Sequence, residues 1–530
     1  MSPRDRRRGT FSPAPIVVPD HPIPAGPLVN PDIAPTSRKA RTWGFWHLAS
    51  LWVGMSVCIP TYMLASSMID SGMNWWQSLV TILLGNAIVL VPLVLSAHAG
   101  TRYGIPFPVF ARASFGWKGA HVPSLLRSAV ACGWFGIQTW IGGLAIHAML
   151  VLLWPPWAAL GGDWTFMDHT LGQFLGFFLF WLVNLHFAWH GTESIKWLET
   201  FAAPLLLAIG VALLVWAVRA VGGIDDILAS SSRLGAAADA PTGSAFFFGL
   251  FLPWLTAMVG YWATLALNIP DFTRYANSQR AQAWGQGVGL LTTMPLFAFI
   301  GIAVTSATVI LYGEAIWNPI DLVTRLTAGG SRWLGVVAMA ALALATLSTN
   351  IAANLVAPAN SLSNLAPRRI SFRAGGMTAA VIGILLFPWE LLEAYQTWLI
   401  SYSGLLGAVG GVMLCDYAWV RHFRLELVDL YTEEGVYAYH DGLNRAAMIA
   451  LVAGIAVALA GKLHPSLSFL FDGAWFSAAI VSFLIYAWAM RKTRRLLRGP
   501  SVAGSAGDEG RGATGEHVSE EGGPPGETTA

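Results

Sequence analysis

Two side chains in the apolar segment CGWFGIQTWIGG could hold a flat ligand. Trp134 and Gln138 are four residues apart, so in a helix they lie on one face and can reach the same ligand. The indole offers a flat π surface about the size of a pyrimidine or hydantoin ring, and the amide offers both a donor and an acceptor to a cyclic amide or ureide. The alternative is an ordinary contact between helices or an anchor at the membrane surface.

A second polar group lies in the apolar segment ATLSTNIAANLVAPAN. Asn350 and Asn354 are again four residues apart, and the hydroxyls of Ser348 and Thr349 come just before them. Hard cations prefer oxygen ligands, so these hydroxyls could complete a Na⁺ site together with backbone carbonyls freed elsewhere. The alternative is that the hydroxyls bond back to their own helix. An unpaired buried amide costs about 1–3 kcal/mol, so the two asparagines should serve a ligand or a fixed network.

The elements that must position these residues are membrane-spanning helices. Hydrophobic residues make up 55% of the chain and charged residues only 11%, against about 25% in a soluble protein. Lipid must therefore cover most of the surface, and no nucleic-acid partner is expected. A span needs about 20 apolar residues. We predict an all-α polytopic protein with twelve spans, near 43–69, 74–98, 121–153, 170–189, 197–219, 244–269, 284–312, 333–360, 374–388, 391–419, 446–462 and 472–490.

Two tails flank the predicted transmembrane domain of residues 43–490. Residues 1–42 are basic and rich in proline, residues 491–530 are mostly polar, and both are predicted to be disordered. Twelve spans place both tails on one side, and most lysines and arginines between spans fall on that same side. The positive-inside rule then predicts that both termini are cytoplasmic, in an inner or plasma membrane.

Two predicted spans carry helix-breaking residues at comparable depth. The first has Gly54 and Pro60 near its centre, and the sixth has Pro253 and Gly260. Broken backbone at mid-membrane is tolerated only around a cavity. Spans five apart start from opposite sides, so matched breaks indicate two inverted five-helix repeats around a midplane site. Ordinary kinking is the alternative.

The sequence disfavours an intramembrane enzyme and a bound cofactor. It contains no HExxH or GxSxG motif, and its three cysteines form neither a CxxC pair nor a metal spacing. Most carboxylates lie near span ends, whereas a proton relay favours a deeper acid. This favours Na⁺ over H⁺ as a coupling ion, with Glu199 and His147 as the remaining proton candidates.

Several stretches resemble the nucleobase:cation symporter-1 family. They are GIPFPVFARASFG (104–116), GWFGIQTWIGG, NIPDFTRYA (268–276) and LSTNIAANLVAPAN (347–360), and the similarity runs from about Trp43 to Trp488. The resemblance implies a LeuT-like fold, with two inverted repeats of five helices plus two peripheral helices. It also implies alternating access and cation-coupled uptake of a heterocycle of the uracil, cytosine, purine or allantoin class.

The resemblance also implies roles for individual residues. Substrate would stack between Trp134 on the third helix and Trp262 on the sixth, with Gln138, Asn350 and Asn354 at its edge. A Na⁺ site would use helices one and eight, and its groups would fall on Gly54, Val57, Ala345, Ser348 and Thr349. Proton-coupled relatives leave H⁺ as the alternative ion.

One position departs from the hydantoin-transporting members of that family. Cys58 stands where they have a substrate-facing glutamine in the first helix, which puts hydantoin itself in doubt as the substrate. Because the same fold can host different substrates, a carrier of hydantoin or of another small amide or amine remains the alternative. A receptor that binds without transport is a third alternative.

Overall fold

The structure, a computed structural model, describes residues 16–17, 23, 26–190, 192–234, 241–328 and 331–498. Within these residues, seven uninterrupted helices are long and apolar enough to cross a membrane, two more crossings are pairs bent at a break, and three apolar helices are shorter. Together they are consistent with the twelve predicted spans. In chain order the crossings are Phe45–Ser56 with Ile59–Asp70, Trp75–Tyr103, His121–Leu153, Leu171–His190, Thr192–Val221, Gly243–Thr273, Gln279–Tyr312, Arg332–Leu365, Phe372–Leu385, Tyr395–Val420, Arg445–Ala460, and Pro465–Asp472 with Ala474–Ala489.

Shorter elements connect these spans or flank them. They are the 3₁₀ turns Arg38–Ala40, Pro155–Ala159 and Val428–Tyr431, the helices Phe107–Phe115, Ile224–Leu234, Pro319–Thr327, Pro388–Glu393 and Arg491–Arg498, and the antiparallel two-residue strands Thr165–Phe166 and His169–Thr170. Three spans also contain a widened π-helical turn, at Phe247–Phe251, Ile351–Leu355 and Cys415–Val420. Such turns often occur at functional sites.

The contacts between spans repeat with an offset of five. The first span packs on the seventh and the sixth on the second, while the fourth packs on the third and the ninth on the eighth. The third and eighth spans pack on each other. If spans 1–5 are exchanged with spans 6–10, each of these contacts becomes another contact of the set. The contact between the third and eighth spans is unchanged by the exchange. The eleventh and twelfth spans pack together and against the tenth, as the two predicted peripheral helices should.

The predicted break in the first span is confirmed. Its two halves meet at an angle of 55°, and Val57 and Cys58 between them leave the helical conformation. The Pro60 ring lies in the first turn of the second half, where a missing N–H is tolerated. A helix that stops and restarts here leaves backbone carbonyls without partners in the interior.

The predicted break in the sixth span is wrong. The helix Leu252–Asn268 runs without interruption through Gly260, and Pro253 lies in its first turn, directly after a π-helical turn. Gly260 serves packing instead: an added Cβ would lie 2.8 Å from the carbonyl oxygen of Leu399 on the tenth span. Here the glycine brings two helices together and does not open one.

The predicted tails, 1–42 and 491–530, are described only in part. Residues 26–42 pack against the face of the bundle where the chain termini lie, with Ile33 fully buried and its carbonyl accepting the Tyr431 hydroxyl at 2.7 Å. Residues 491–498 form a helix. The described structure therefore extends beyond the predicted domain of residues 43–490 in both directions, over residues 26–42 and 491–498. Most of residues 1–25, and all residues from 499 onward, lie outside the described residues.

A buried arginine joins several loops on this face. The Arg112 guanidinium is 1% exposed and donates to the carbonyls of Leu430 and Leu28 at 2.8 and 3.2 Å, and to the Asn364 side chain at 2.6 Å. Burial lowers the pKa of Arg112 to about 10, so the group stays charged at neutral pH. Four separate parts of the chain thus meet at one cation.

Replacing Arg112 with methionine should lower the melting temperature of the purified protein by several degrees. Hydrogen bonds to charged groups contribute about 1.5–3 kcal/mol each, and three acceptors lose their donor. Lys118→Met is the matched control, because Lys118 forms an exposed ion pair with Asp441, and exposed pairs contribute little. Equal melting temperatures for the two variants in a detergent unfolding assay would contradict this account.

Candidate functional site

The break in the first span frees the two carbonyls predicted for a cation. In a continuous helix the Gly54 and Val57 carbonyls would accept the amides four residues on. Instead the Cys58 amide donates to Ser56, and the Thr61 amide donates to Cys58. Space is also open beside Gly54, where an added Cβ would meet no atom within 4 Å. The local backbone geometry leaves these two carbonyls available, and their role as cation ligands stays a prediction.

The other predicted cation groups lie on the eighth span. Ser348 and Thr349 are 5% and 6% exposed, and Ala345 is 2% exposed. The Thr349 hydroxyl donates to the Ala345 carbonyl at 3.3 Å, so two of the nominated oxygens are bonded to each other. This is a long bond within one helix, the arrangement that was the alternative reading of the hydroxyls. The helix Ile59–Asp70 of the first span contacts Arg332–Asn350, while Gly54 and Val57 lie in and just after the preceding helix Phe45–Ser56.

The two asparagines of the eighth span lie one behind the other. Asn354 is in the π-helical turn and donates its amide to the Asn350 oxygen at 3.0 Å. The Asn350 amide nitrogen contacts acceptors on Phe135, Thr139 and Asn184 at 3.2, 3.0 and 3.1 Å. Both ends of the Asn350 amide are thus used within the protein. The geometry makes Asn350 the support of Asn354 and leaves Asn354 as the more accessible amide.

The third span presents Trp134 with its ring fixed. The indole N–H donates to the Tyr402 hydroxyl at 3.1 Å, and this hydroxyl donates to the Gly260 carbonyl at 3.0 Å. One chain of hydrogen bonds therefore ties the third, tenth and sixth spans together. Because the indole nitrogen is already paired, the free features of Trp134 are the faces of its ring.

Gln138 carries an unsatisfied acceptor one helical turn from Trp134. The residue is 4% exposed, and its Oε1 is buried and has no hydrogen-bond partner among the described residues. A buried polar atom left unpaired costs about 1–3 kcal/mol. An N–H group of a ligand would satisfy it.

Trp262 of the sixth span lies among other aromatic rings. Its N–H points to the Met294 sulfur at 2.9 Å, and its ring meets Trp52 edge-on with centroids 5.0 Å apart. Tyr261 links it to Trp134, with centroid distances of 4.8 Å to Trp262 and 5.4 Å to Trp134. The structure thus brings both predicted tryptophans to one tyrosine.

Cys58 reaches the same tyrosine from the broken first span. Its sulfur lies 3.2 Å from the Tyr261 hydroxyl and 3.3 Å from the Thr61 hydroxyl. Cys58, Trp134 and Trp262 therefore meet around Tyr261, and three different spans contribute. Gln138 lies one helical turn from Trp134 on the third span, and the π-helical turn that carries Asn354 packs on that span.

Sequence reasoning missed four residues of this region. Tyr261, Trp52 and Tyr402 stand among many aromatic residues of apolar helices, so nothing in their spacing singles them out. Asn184 did offer a signal, as a single amide in the apolar run FLFWLVNLHF. A buried asparagine needs a partner, and here the partner is Asn350.

A buried polar cluster lies about two helical turns from Trp134, toward the termini. Arg127 of the third span donates to the Asn268 side-chain oxygen at 2.9 and 3.1 Å. Asn268 donates in turn to Asp271 at 3.4 Å, and the other oxygen of that carboxylate accepts the Phe107 amide at 2.9 Å. The cluster joins the third span to the end of the sixth.

One of the two proton candidates, His147, lies away from this region. The His147 ring accepts the Trp157 indole N–H at 3.1 Å, near the end of the third span that is farthest from the termini. Glu199 lies in the helix Thr192–Val221, and its side chain is outside the described residues. Among the described residues no group of three histidine, cysteine or acidic side chains could hold a metal ion.

The bundle of two helical repeats has the LeuT-like fold of membrane transporters, as its superposition on the solved transporter Mhp1 shows, and the family that the chain matches consists of permeases, not enzymes. Residues 35–481 match the family model described as permease for cytosine/purines, uracil, thiamine, allantoin. The chain therefore belongs to the nucleobase:cation symporter-1 family.

Three relatives illustrate this membership. The chain is 44% identical over 483 residues to a purine-uracil permease of Arabidopsis thaliana, covering 88% of this chain and 78% of that protein. It is 38% identical over 467 residues to an allantoin permease of Bacillus subtilis, covering 88% and 93%. The closed structure of Mhp1, a family transporter with bromovinylhydantoin bound, superposes with a TM-score of 0.71 at 30% identity, covering 88% of this chain and 96% of that one.

Proposed function

We propose that the protein imports a small, flat nitrogen heterocycle of the uracil, cytosine, purine or allantoin class by cation-coupled symport. The observation that carries the proposal is the buried, unpaired Gln138 oxygen one helical turn from the fixed ring of Trp134. A flat ring with an N–H edge would satisfy both residues at once. The names of the purine-uracil and allantoin permeases among its relatives support the same class.

Substrate would bind against Trp134 and Trp262, with Gln138 and Asn354 at its edge. Stacking on an aromatic ring is tolerant of ring identity, because every heterobase has a π face. The amides then supply selection through donors and acceptors. Asn350 would act through Asn354 by holding its amide in place.

A cation would bind between the first and eighth spans. The Gly54 and Val57 carbonyls, together with those groups of Ala345, Ser348 and Thr349 that face them, supply oxygen atoms only, as Na⁺ prefers. Holding the broken first span would favour the state that binds substrate, which is the requirement for coupling. Coupling by H⁺ is the alternative and would need a titrating group elsewhere, such as Glu199.

Transport would follow alternating access. The first, second, sixth and seventh spans would rock against the third, fourth, eighth and ninth. The hydrogen bond from Arg127 to Asn268 crosses this boundary on the side of the termini, so it has to break before that side opens. We place the termini in the cytoplasm of an inner or plasma membrane, because positive residues concentrate on this side.

Uptake into proteoliposomes tests the proposal. We expect purified protein to accumulate at least one of uracil, cytosine, adenine and allantoin, and accumulation should rise with an imposed Na⁺ gradient. Adding hydantoin to the same panel tests the alternative that the protein carries hydantoin, which the cysteine at position 58 puts in doubt. Thermal stabilisation by a base without any uptake would identify a receptor. Failure of the whole panel to bind or to accumulate would contradict the proposal.

A further inference from the structure

Tyr261 contacts both tryptophans of the candidate site. Its ring is nearly perpendicular to each of them, at 82° to Trp134 and 87° to Trp262. The residue is 6% exposed, and it lies on the uninterrupted helix Leu252–Asn268. A ligand that stacks on either tryptophan would therefore meet this tyrosine.

The Tyr261 hydroxyl belongs to a triangle of three groups that can each donate one hydrogen. It lies 3.1 Å from the Thr61 hydroxyl and 3.2 Å from the Cys58 sulfur, and those two groups are 3.3 Å apart. Both partners are essentially fully buried. Hydroxyl and thiol hydrogens rotate, so the triangle can redistribute its three protons when a ligand arrives.

The direction of that redistribution depends on the ligand. When Thr61 and Cys58 both donate to the phenol oxygen, the Tyr261 proton is left for a ligand acceptor, and every donor is used. A ligand amino group would need a lone pair of the phenol oxygen as its acceptor. One hydroxyl of the triangle would then have to donate its hydrogen bond to the Cys58 sulfur, which is a weak acceptor. The triangle therefore favours an acceptor on the ligand.

We propose that Tyr261 selects the substrate by donating to a ring carbonyl, while Gln138 accepts the adjacent ring N–H. This inference rests on the proposed function and narrows it to heterocycles with a lactam edge, an N–H next to a C=O. A phenol donor and an amide acceptor complement that edge. The buried, unpaired Gln138 oxygen supplies the acceptor. The same ring with an amino group in place of the oxygen offers the wrong partner to Tyr261.

Two matched ligand pairs test this selection on the purified full-length protein. Uracil and cytosine differ at C4, which is oxo in uracil and amino in cytosine, and at the adjacent N3, which carries a hydrogen only in uracil. Hypoxanthine and adenine differ in the same way at C6 and N1. Wild type should bind the oxo member of each pair about 10- to 100-fold more tightly, the effect of roughly two hydrogen bonds, one to Tyr261 and one to Gln138. Tyr261→Phe keeps the ring and removes the hydroxyl, so it should lower both affinity ratios about three- to tenfold, chiefly by weakening the oxo ligand, and leave the share of each ratio that Gln138 contributes.

Tyr395→Phe is the matched control. It removes the same atom from a ring 6.0 Å from Trp134, but that hydroxyl is already bonded to the Pro60 carbonyl, so the ratios should stay as in wild type. If Tyr261→Phe does not fold, Thr61→Val is the test variant. Without the Thr61 hydroxyl, the phenol oxygen has a free lone pair that can accept from an amino ligand, so both oxo-to-amino affinity ratios should fall. Unchanged ratios in the decisive variant would overturn the selection by Tyr261 and leave the transport function standing. A wild-type protein that binds none of the four bases would overturn both.

Discussion

Replacing Trp134 with alanine should weaken substrate binding by roughly 10- to 100-fold and reduce uptake accordingly. Stacking of a base on an aromatic ring contributes about 1–3 kcal/mol, and each 1.4 kcal/mol is a factor of ten in affinity. The indole N–H is committed to Tyr402, so the loss should come from the ring face. Trp134→Phe keeps a smaller aromatic ring and loses the five-membered ring of the indole with its N–H, so it should lie between wild type and Trp134→Ala. The measurement is the dissociation constant of the transported base.

Trp140→Ala is the matched control for this prediction. Trp140 is buried on the same span, but its ring packs against Phe174, Phe177 and Trp389, away from the candidate site. Losing it should lower the melting temperature through the cavity left behind, while the folded fraction keeps its affinity. If Trp134→Ala only destabilised the protein in the same way, Trp134 would be a packing residue and the site would have to be moved.

Much of the fold follows from the sequence because lipid allows few solutions. Apolar stretches long enough to cross the bilayer had to be helices, and their number and order could be read directly. The break in the first span was predictable because Gly54 and Pro60 flank it. The sixth span carries a similar pair, but it is not broken. Pro253 follows directly after a π-helical turn, in the first turn of the next helix, and Gly260 packs on the tenth span. A glycine in a helix permits both outcomes, and only the neighbouring helix decides between them.

The candidate site was predicted less completely than the fold. The i, i+4 spacing correctly placed Asn350 and Asn354 on one face, but it could not show which amide supports the other. That order depends on Asn184 and Thr139, which come from other spans. Tyr261 was missed because residues adjacent in a helix point about 100° apart, so its neighbour Trp262 gave no reason to expect both at one site.

The combined change Ser348→Ala and Thr349→Val should abolish any Na⁺ dependence of substrate binding. Both side chains supply a hydroxyl to the proposed cation site, and the replacements keep a similar size without an oxygen ligand. Coupling between two ligands typically changes affinity by about 5- to 150-fold. We therefore expect wild type to bind the base more tightly by a factor in this range when Na⁺ is added, and the double variant to bind it equally with and without Na⁺. Titration in Na⁺ and in choline buffers measures the ratio.

Thr346→Val is the control that separates a cation ligand from a helix-bonded hydroxyl. Thr346 lies on the same span, is buried, and donates to the Leu342 carbonyl at 2.8 Å, so its loss should leave the Na⁺ ratio unchanged. The Thr349 hydroxyl makes the same type of bond, but at 3.3 Å it is long and more easily exchanged for a cation. A double variant that keeps a wild-type Na⁺ ratio would exclude these hydroxyls as ligands. If wild type responded to a pH gradient and not to Na⁺, the freed Gly54 and Val57 carbonyls would have to serve the broken span in another way, and Glu199 would become the residue to replace next.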